Sequence, residues 1–193
     1  EKSYPEYYQI KYQQSTFKLA GIQSALPENT GLVEYFAGDR EIFVFYADKE
    51  TVNGFSFRRD SSFDQSLDRM FNSLRDRKRV SEEGRSAAAI EQYAQQASEL
   101  YRQLLAPVVG QLPEKLVLIP DGHLAYLPFE LLLTGGGAVA GYSSYAALPY
   151  LLRQTTVRYE YSAAMALEQT ARHSAKQQLA GFAPGYSGAW TAQ

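Results

Sequence analysis

A histidine follows a short apolar strand in the segment KLVLIPDGHLAYLPFELLL, residues 115–133. The carboxyl ends of parallel strands are where α/β proteins place functional groups, so His123 is a candidate general base. A catalytic histidine needs a nucleophile and usually a carboxylate that orients its ring. The sequence contains Ser and Asp residues but no nucleophile-elbow pattern. It therefore favours a turn, in which Asp121 and Gly122 make the bend and His123 is the first residue after it.

Asp121 and Glu130 are the carboxylates of this segment, and together they suggest an acid–base pair. Nothing in their spacing requires such a pair. Asp121 is predicted to accept a hydrogen bond from the backbone of its own turn. Glu130 lies inside an apolar run, which indicates a buried or capping carboxylate.

Two further features invite a chemical interpretation. The glycine-rich segment TGGGAVAG (134–141) suggests phosphate binding, but it lacks the Lys-Ser/Thr of a P-loop and does not join a clear strand to a helix. We interpret it as a flexible loop. His173 lies at the polar end of a predicted helix, where a cation suits the helix dipole. We therefore predict no catalytic, cofactor-binding or metal-binding residue in this chain.

Composition excludes several function classes. The chain has 193 residues, is 45% hydrophobic and carries a net charge of −2, so it is globular and has no basic character for nucleic acid. No apolar run reaches the roughly 18 residues that span a bilayer, and the start lacks a signal-peptide layout, so we expect a cytoplasmic protein. With no Cys and two His, thiolate sites and disulfides are excluded, and no cofactor is expected.

The elements that would position these residues follow from periodicity and turn signals. Apolar positions at helical spacing predict a helix in 17–26, a second from about Phe63 after the capping candidates at 60–62, and a long third from Ala87 to Ala106. The last two flank a charged segment, 74–86, which is predicted to be an exposed connection. Ser162 is a predicted cap for a further helix.

Strands alternate with these helices. Three are predicted near 32–37, 41–48 and 54–59 as a meander, followed by apolar 115–120, by 155–162 and by a segment near 179–183. Because Phe43 and Phe45 alternate with Val44 and Tyr46, the middle meander strand is predicted to be apolar on both faces and central in its sheet. Helix, short loop and apolar strand is the order of an α/β protein.

Several segments resemble the CHAT domain, the caspase-like domain associated with tetratricopeptide repeats. The helix end, Leu-Pro-Glu-Asn-Thr turn and Leu-Val-Glu-Tyr-Phe strand of residues 24–50 resemble its opening. Residues 115–133 resemble its apolar strand followed by Pro-Asp-Gly and Leu-Pro-Phe-Glu. Residues 150–168 and 179–186 resemble the strands and the Tyr-Ser helix start that follow. The resemblance covers nearly the whole chain from about Phe17.

This resemblance implies a caspase-haemoglobinase-like α/β fold, in which an antiparallel meander and helices join a mostly parallel sheet that is incomplete at the C-terminus. Residues 1–16 would be a lead-in, corresponding to the end of a helical-repeat region, and 17–193 the non-catalytic N-terminal part of the domain. The parent protein would be a cysteine peptidase whose His/Cys dyad lies further along. Neither His123 nor His173 matches the setting of the family's catalytic histidine.

The expected role is then to support the catalytic half and to dock a partner or repeat segments. Partners would be proteins: the tetratricopeptide-repeat region in cis, a substrate or a regulator, with self-association where a strand edge and an apolar face stay uncovered. Two alternatives remain open. One is an interaction or scaffold module without peptidase activity. The other is a self-contained Ser/His hydrolase that uses His123.

Overall fold

The computed structural model of the protein describes residues 19–75, 86–135 and 142–171, which form a five-stranded mixed sheet with helices on both faces. The helices and strands are, in chain order, α1 (Leu19–Ala25), β1 (Thr30–Ala37), β2 (Glu41–Ala47), β3 (Val52–Arg58), α2 (Ser61–Arg75), α3 (Ala87–Leu104), β4 (Lys115–Ile119), β5 (Thr156–Tyr159) and α4 (Ala163–Ala171). Short 3-10 helices at Gly122–Tyr126, Phe129–Leu131, Tyr145–Ala147 and Leu151–Arg153 lie between β4 and β5.

The sheet has the order β3-β2-β1-β4-β5. The pairs β1–β2 and β2–β3 are antiparallel, whereas β1–β4 and β4–β5 are parallel. The α/β class and the meander are therefore confirmed. The described sheet is therefore mixed, with antiparallel pairs inside the meander and parallel pairs beyond it, as expected for an antiparallel meander joined to parallel strands.

As predicted, β2 carries apolar side chains on both faces and lies in the interior of the sheet, although it is not the middle strand of the five. The central strand is β1, and β2 buries only the face that carries Ile42, Val44 and Tyr46. On the other face Phe43 and Phe45 stay 39% and 47% exposed. Among the β2 side chains on this second face, Ala47 packs in a described core, whereas Phe43 and Phe45 do not.

The larger core lies between the first face of the sheet and the helices α2 and α3. Tyr35 is buried at its centre, and its hydroxyl donates to the Leu104 carbonyl at the end of α3 at 3.2 Å. The whole predicted apolar side of α3 faces this core. The 3-10 segments between β4 and β5 and their flanking residues complete the same core. They contribute the side chains of Leu124, Leu127, Phe129, Leu132 and Leu151.

A smaller core lies on the second face, under α1 and α4, and is formed by Leu26, Leu32, Ala47, Val117, Ile119, Ala166 and Leu167. The two helices divide this face between them. Gln23 of α1 donates to the carbonyl of Asp48 just after β2, at 3.1 Å. Arg158 of β5 donates to the carbonyl of Ala166 in α4, at 3.3 Å. Thus α1 lies on the meander side of the sheet and α4 lies over β5.

Helix starts follow the predicted caps. The Asp60 carboxylate accepts the backbone N–H groups of Ser62 and Phe63, both at 3.0 Å, and the Ser162 hydroxyl accepts that of Met165 at 3.3 Å. Such bonds satisfy donors that the first helical turn leaves unpaired. The predicted end of α3 is two residues too far along the chain, since α3 ends at Leu104. The predicted strand near 179–183 lies outside the described residues, as does most of the charged connection.

A pair of glycine substitutions tests the packing of β1 with opposite expected signs. An alanine Cβ at Gly31 would lie 2.6 Å from Tyr46 Cε2. That ring is fixed by a 2.8 Å hydrogen bond from the Tyr46 hydroxyl to Asp48. We expect Gly31→Ala to lower the free energy of unfolding in urea by about 1–3 kcal/mol.

The control is Gly21→Ala in α1, where a new Cβ meets nothing within 4 Å. This change should raise the free energy of unfolding by about 0.5–1 kcal/mol, because alanine is the better helix former. Equal stabilities for the two variants would contradict the packing described for Gly31.

Candidate functional site

The turn after β4 has the conformation that the sequence predicted. Gly122 has a φ of +57°, and a 3-10 helix, Gly122–Tyr126, begins there. The predicted partner of Asp121 is wrong, however. Its carboxylate accepts the backbone N–H of Ala37 at 2.9 Å, a residue at the end of β1. Because β1 and β4 are parallel neighbours, both strands end at the same edge of the sheet, and Asp121 joins their ends.

His123 is exposed, and among the described residues its ring has no hydrogen-bond partner. A general base must come within hydrogen-bond reach of the group it deprotonates, and a nucleophile–histidine pair requires the same contact. No such pair exists in the described part of the chain at this histidine. His173 and residues 136–141 of the glycine-rich segment lie outside the described residues.

Glu130 accepts a hydrogen bond from Tyr159, a residue that the sequence analysis did not identify. The hydroxyl of Tyr159, the last residue of β5, donates to Glu130 Oε2 at 2.6 Å and accepts the backbone N–H of Phe129 at 2.9 Å. Burial raises the pKa of the Tyr159 hydroxyl, and its hydrogen bond to the Glu130 carboxylate raises it further. The phenol therefore stays protonated and remains a donor at physiological pH.

The two carboxylates do not form an acid–base pair. Asp121 joins β4 to β1, and Glu130 joins the segment after β4 to β5. Glu130 is half-buried, and its carboxylate accepts a hydrogen bond from the Tyr159 side chain, not from the N–H groups of a helix start. The alternating pattern of 155–162, which predicts a strand, was the available signal for Tyr159.

A second contact that the sequence analysis missed lies on the other face of β5. Arg158 Nε and Glu160 Oε1 are 2.9 Å apart, and only 7% of the Glu160 side chain is exposed. Arg158 also donates to the carbonyl of Ala166 in α4. The pair thus helps to fix α4 on the sheet. Opposite charges two residues apart on a strand share a face, and this was the available signal.

At the opposite edge of the sheet, before β1 and β4, lies an open cleft of about 440 Å³. Its charged lining is mostly acidic, and its lysine, Lys49, pairs with Glu28 at 2.7 Å. Partial burial tends to raise the pKa of Asp48, but hydrogen bonds from Thr51, Tyr46 and Glu50 outweigh it and lower that pKa. In the described ranges no three acidic or histidine side chains are placed to hold a metal ion.

Within residues 19–75, 86–135 and 142–171, no helix combines the length and the apolar character that crossing a bilayer requires.

The positive φ at Gly122 leads to a prediction about stability. We expect Gly122→Ala to destabilise the protein by about 1 kcal/mol or more, because alanine is strained at φ > 0. Space is not the cause, since the nearest atom to a new Cβ is Ala37 Cβ at 3.6 Å. Gly110→Ala is the control, as nothing lies within 4 Å there. Urea denaturation that gave the two variants the same midpoint would refute a backbone constraint at Gly122.

The Tyr159 contacts lead to a second prediction. Tyr159→Phe removes the acceptor of the Phe129 N–H and the donor to Glu130, so we expect a loss of about 1–3 kcal/mol in unfolding free energy. Tyr161→Phe is a matched control, because that side chain is 91% exposed. Thermal and urea unfolding should separate the two variants. A Tyr159→Phe protein as stable as the control would show that the Glu130 contact contributes nothing.

A comparison with protein families was made on the whole sequence. Residues 94–186 match the model of the CHAT domain. A comparison with curated proteins gives no significant match. The matched region begins within α3 and contains β4, the Pro-Asp-Gly turn, both carboxylates discussed above, β5 and α4.

The match confirms the resemblance over residues 94–186. It leaves out residues 17–93, so their assignment to the same domain stays a prediction. The parallel pairing of β1 with β4 supports that assignment, because it places the meander and the matched region in one sheet. Residues 94–186 of this chain are therefore similar to the CHAT domain, and the match is consistent with a partial CHAT domain.

Proposed function

We propose that this chain is the non-catalytic N-terminal portion of a caspase-like cysteine peptidase of the CHAT family, and that it supports the catalytic half. One observation carries the proposal. The polar groups at the carboxyl edge of the parallel strands are used to fix backbone, while the histidine at that edge is exposed and unpaired among the described residues.

The supporting role follows from where these bonds lie. Asp121 joins the ends of β1 and β4, and Tyr159 joins the end of β5 to the segment that follows β4. The ends of three neighbouring strands are thereby fixed relative to one another. Reacting groups need support of this kind, because small displacements cost large factors in rate. In this proposal the chain holds in place the strand ends beside which the catalytic groups lie.

In this proposal the catalytic cysteine and histidine belong to polypeptide outside the chain described here. In a cysteine peptidase a thiolate attacks the scissile carbonyl while a histidine acts as general base. This chain contains no Cys. Its partners would be proteins, namely repeat segments in cis, a substrate or a regulator. The cytoplasmic location expected from the sequence remains a prediction.

The alternative of an interaction module has one observation in its favour. Phe36, Phe43 and Phe45 are exposed on a single face of the sheet. Large exposed apolar areas are typical of binding surfaces. The alternative of a Ser/His hydrolase has less support, since the structure gives His123 no hydroxyl partner in the described residues.

We expect the chain to hydrolyse neither a broad peptide library nor an activated ester. His123→Ala should be indistinguishable from the parent chain, because no described group uses this imidazole. His173→Ala, the only other histidine substitution possible, is the matched control. Turnover that is lost in His123→Ala and kept in His173→Ala would favour the hydrolase.

A second arm tests the supporting role itself. A polypeptide extended to include a Cys/His dyad should be active and blocked by a thiol-directed reagent. Its activity should fall with Tyr159→Phe but not with Tyr161→Phe. If both substitutions left the activity unchanged, the carboxyl edge described here would not support catalysis.

A further inference from the structure

The second face of the sheet carries three exposed aromatic side chains, Phe36, Phe43 and Phe45, which we call the phenylalanine patch. Their exposed fractions are 50%, 39% and 47%. The rings of Phe36 and Phe45 pack edge to face, with centroids 6.0 Å apart. Large aromatic side chains rarely stay this exposed together, so the patch requires an explanation.

Strand register makes the patch continuous. Phe36 is paired with Phe43, and Glu34 is paired with Phe45. On β3 the positions opposite Phe45 and Phe43 are Gly54, which has no side chain, and Ser56, whose side chain is short. Glu34 is half-buried among these apolar groups, and no ion pair to it exists in the described residues.

Helix α1 covers the neighbouring part of the same face. It lies on the meander side, with Ile22 and Leu26 packed in the smaller core beside Leu32. A short link joins the end of α1 to the start of β1. Residues 1–18 directly precede α1 in the chain and are therefore tethered to this face of the sheet.

We propose that the phenylalanine patch is the docking surface for residues 1–18 of the same chain. The segment reads EKSYPEYYQIKYQQSTFK and carries an unusual share of aromatic side chains, at Tyr4, Tyr7, Tyr8, Tyr12 and Phe17. A tyrosine supplies a ring that packs on Phe and a hydroxyl that donates to a half-buried carboxylate such as Glu34. A purely aliphatic segment would leave that carboxylate without a donor.

Length permits this docking. Even as a helix, residues 1–18 would span roughly 27 Å at 1.5 Å per residue. The strands β1, β2 and β3 occupy only about 10 Å of sheet width, at 4.8 Å between neighbours. The other end of the chain is less well placed. Residues 172–193 follow α4, which lies over β5, and β5 is separated from β2 by β4 and β1.

Crosslinking in the full chain tests the proposal cleanly, because the natural sequence contains no Cys. Ser15→Cys is combined with Ser56→Cys beside the patch, and treated with a short bis-maleimide at low protein concentration. The matched control combines Ser15→Cys with Asp68→Cys, an exposed position on α2 at the opposite face. We expect an intramolecular crosslink in the first pair and little in the second.

Three outcomes would overturn the proposal. Equal yields for the two pairs would mean that the segment has no preferred position. Crosslinks of the Ser56→Cys protein to a Ser187→Cys site, without those to Ser15→Cys, would assign the patch to the C-terminal segment. Covalent dimers as the main product would assign it to a second copy of the chain.

Hydrogen exchange provides an independent measurement with mild substitutions. Phe45→Gln should accelerate amide exchange within residues 1–18 by about tenfold, the factor that 1.4 kcal/mol of lost contact produces. Tyr126→Gln, which replaces an aromatic side chain that is 74% exposed elsewhere, should leave those amides unchanged. Unchanged exchange in both variants would overturn the proposal. This inference does not rest on the proposed peptidase function, since neither measurement depends on activity.

Discussion

The rest of the structure depends on the double pairing of β1. One edge of this strand is hydrogen-bonded in antiparallel fashion to β2 and the other in parallel fashion to β4. A shift of one residue in either register would turn every side chain of β1 to the opposite face. Tyr35 would then leave the core below α3, and Glu34 would enter it. Both cores, and the meeting of the strand ends at one edge, follow from this single register.

The helices and strands could be predicted from signals that lie within each segment of the sequence. Asp60 and Ser162 were predicted as caps because short polar side chains satisfy free N–H groups at a helix start, and that chemistry needs no distant partner. The apolar side of α3 was predicted for the same reason, since its periodicity lies within one segment. The meander followed from turn residues between alternating runs.

Contacts between distant segments could not be predicted in this way. The bond between Asp121 and Ala37 joins residues 84 positions apart, and only the parallel register of β1 and β4 brings them together. The exposure of one face of β2 could not be predicted for a related reason. Phe43 and Phe45 have the pattern of a strand covered on both faces, but the pattern does not say which element provides the cover. A single sequence shows which residues are apolar, but the order of the strands determines which elements those residues contact.

The distance along the chain between β1 and β4 has a consequence for the nascent protein. The meander is complete at Arg58, but the partner of the second β1 edge ends only at Ile119. At 5–20 residues per second, a ribosome needs roughly 3–12 s to make the intervening stretch of about 60 residues. Throughout that interval the open edge of β1 presents unpaired N–H and C=O groups beside apolar side chains, as an aggregation-prone edge strand does. Closing such a long loop is also slow once β4 has emerged. The pairing of β4 with β1 thus closes an edge that the meander alone would leave open.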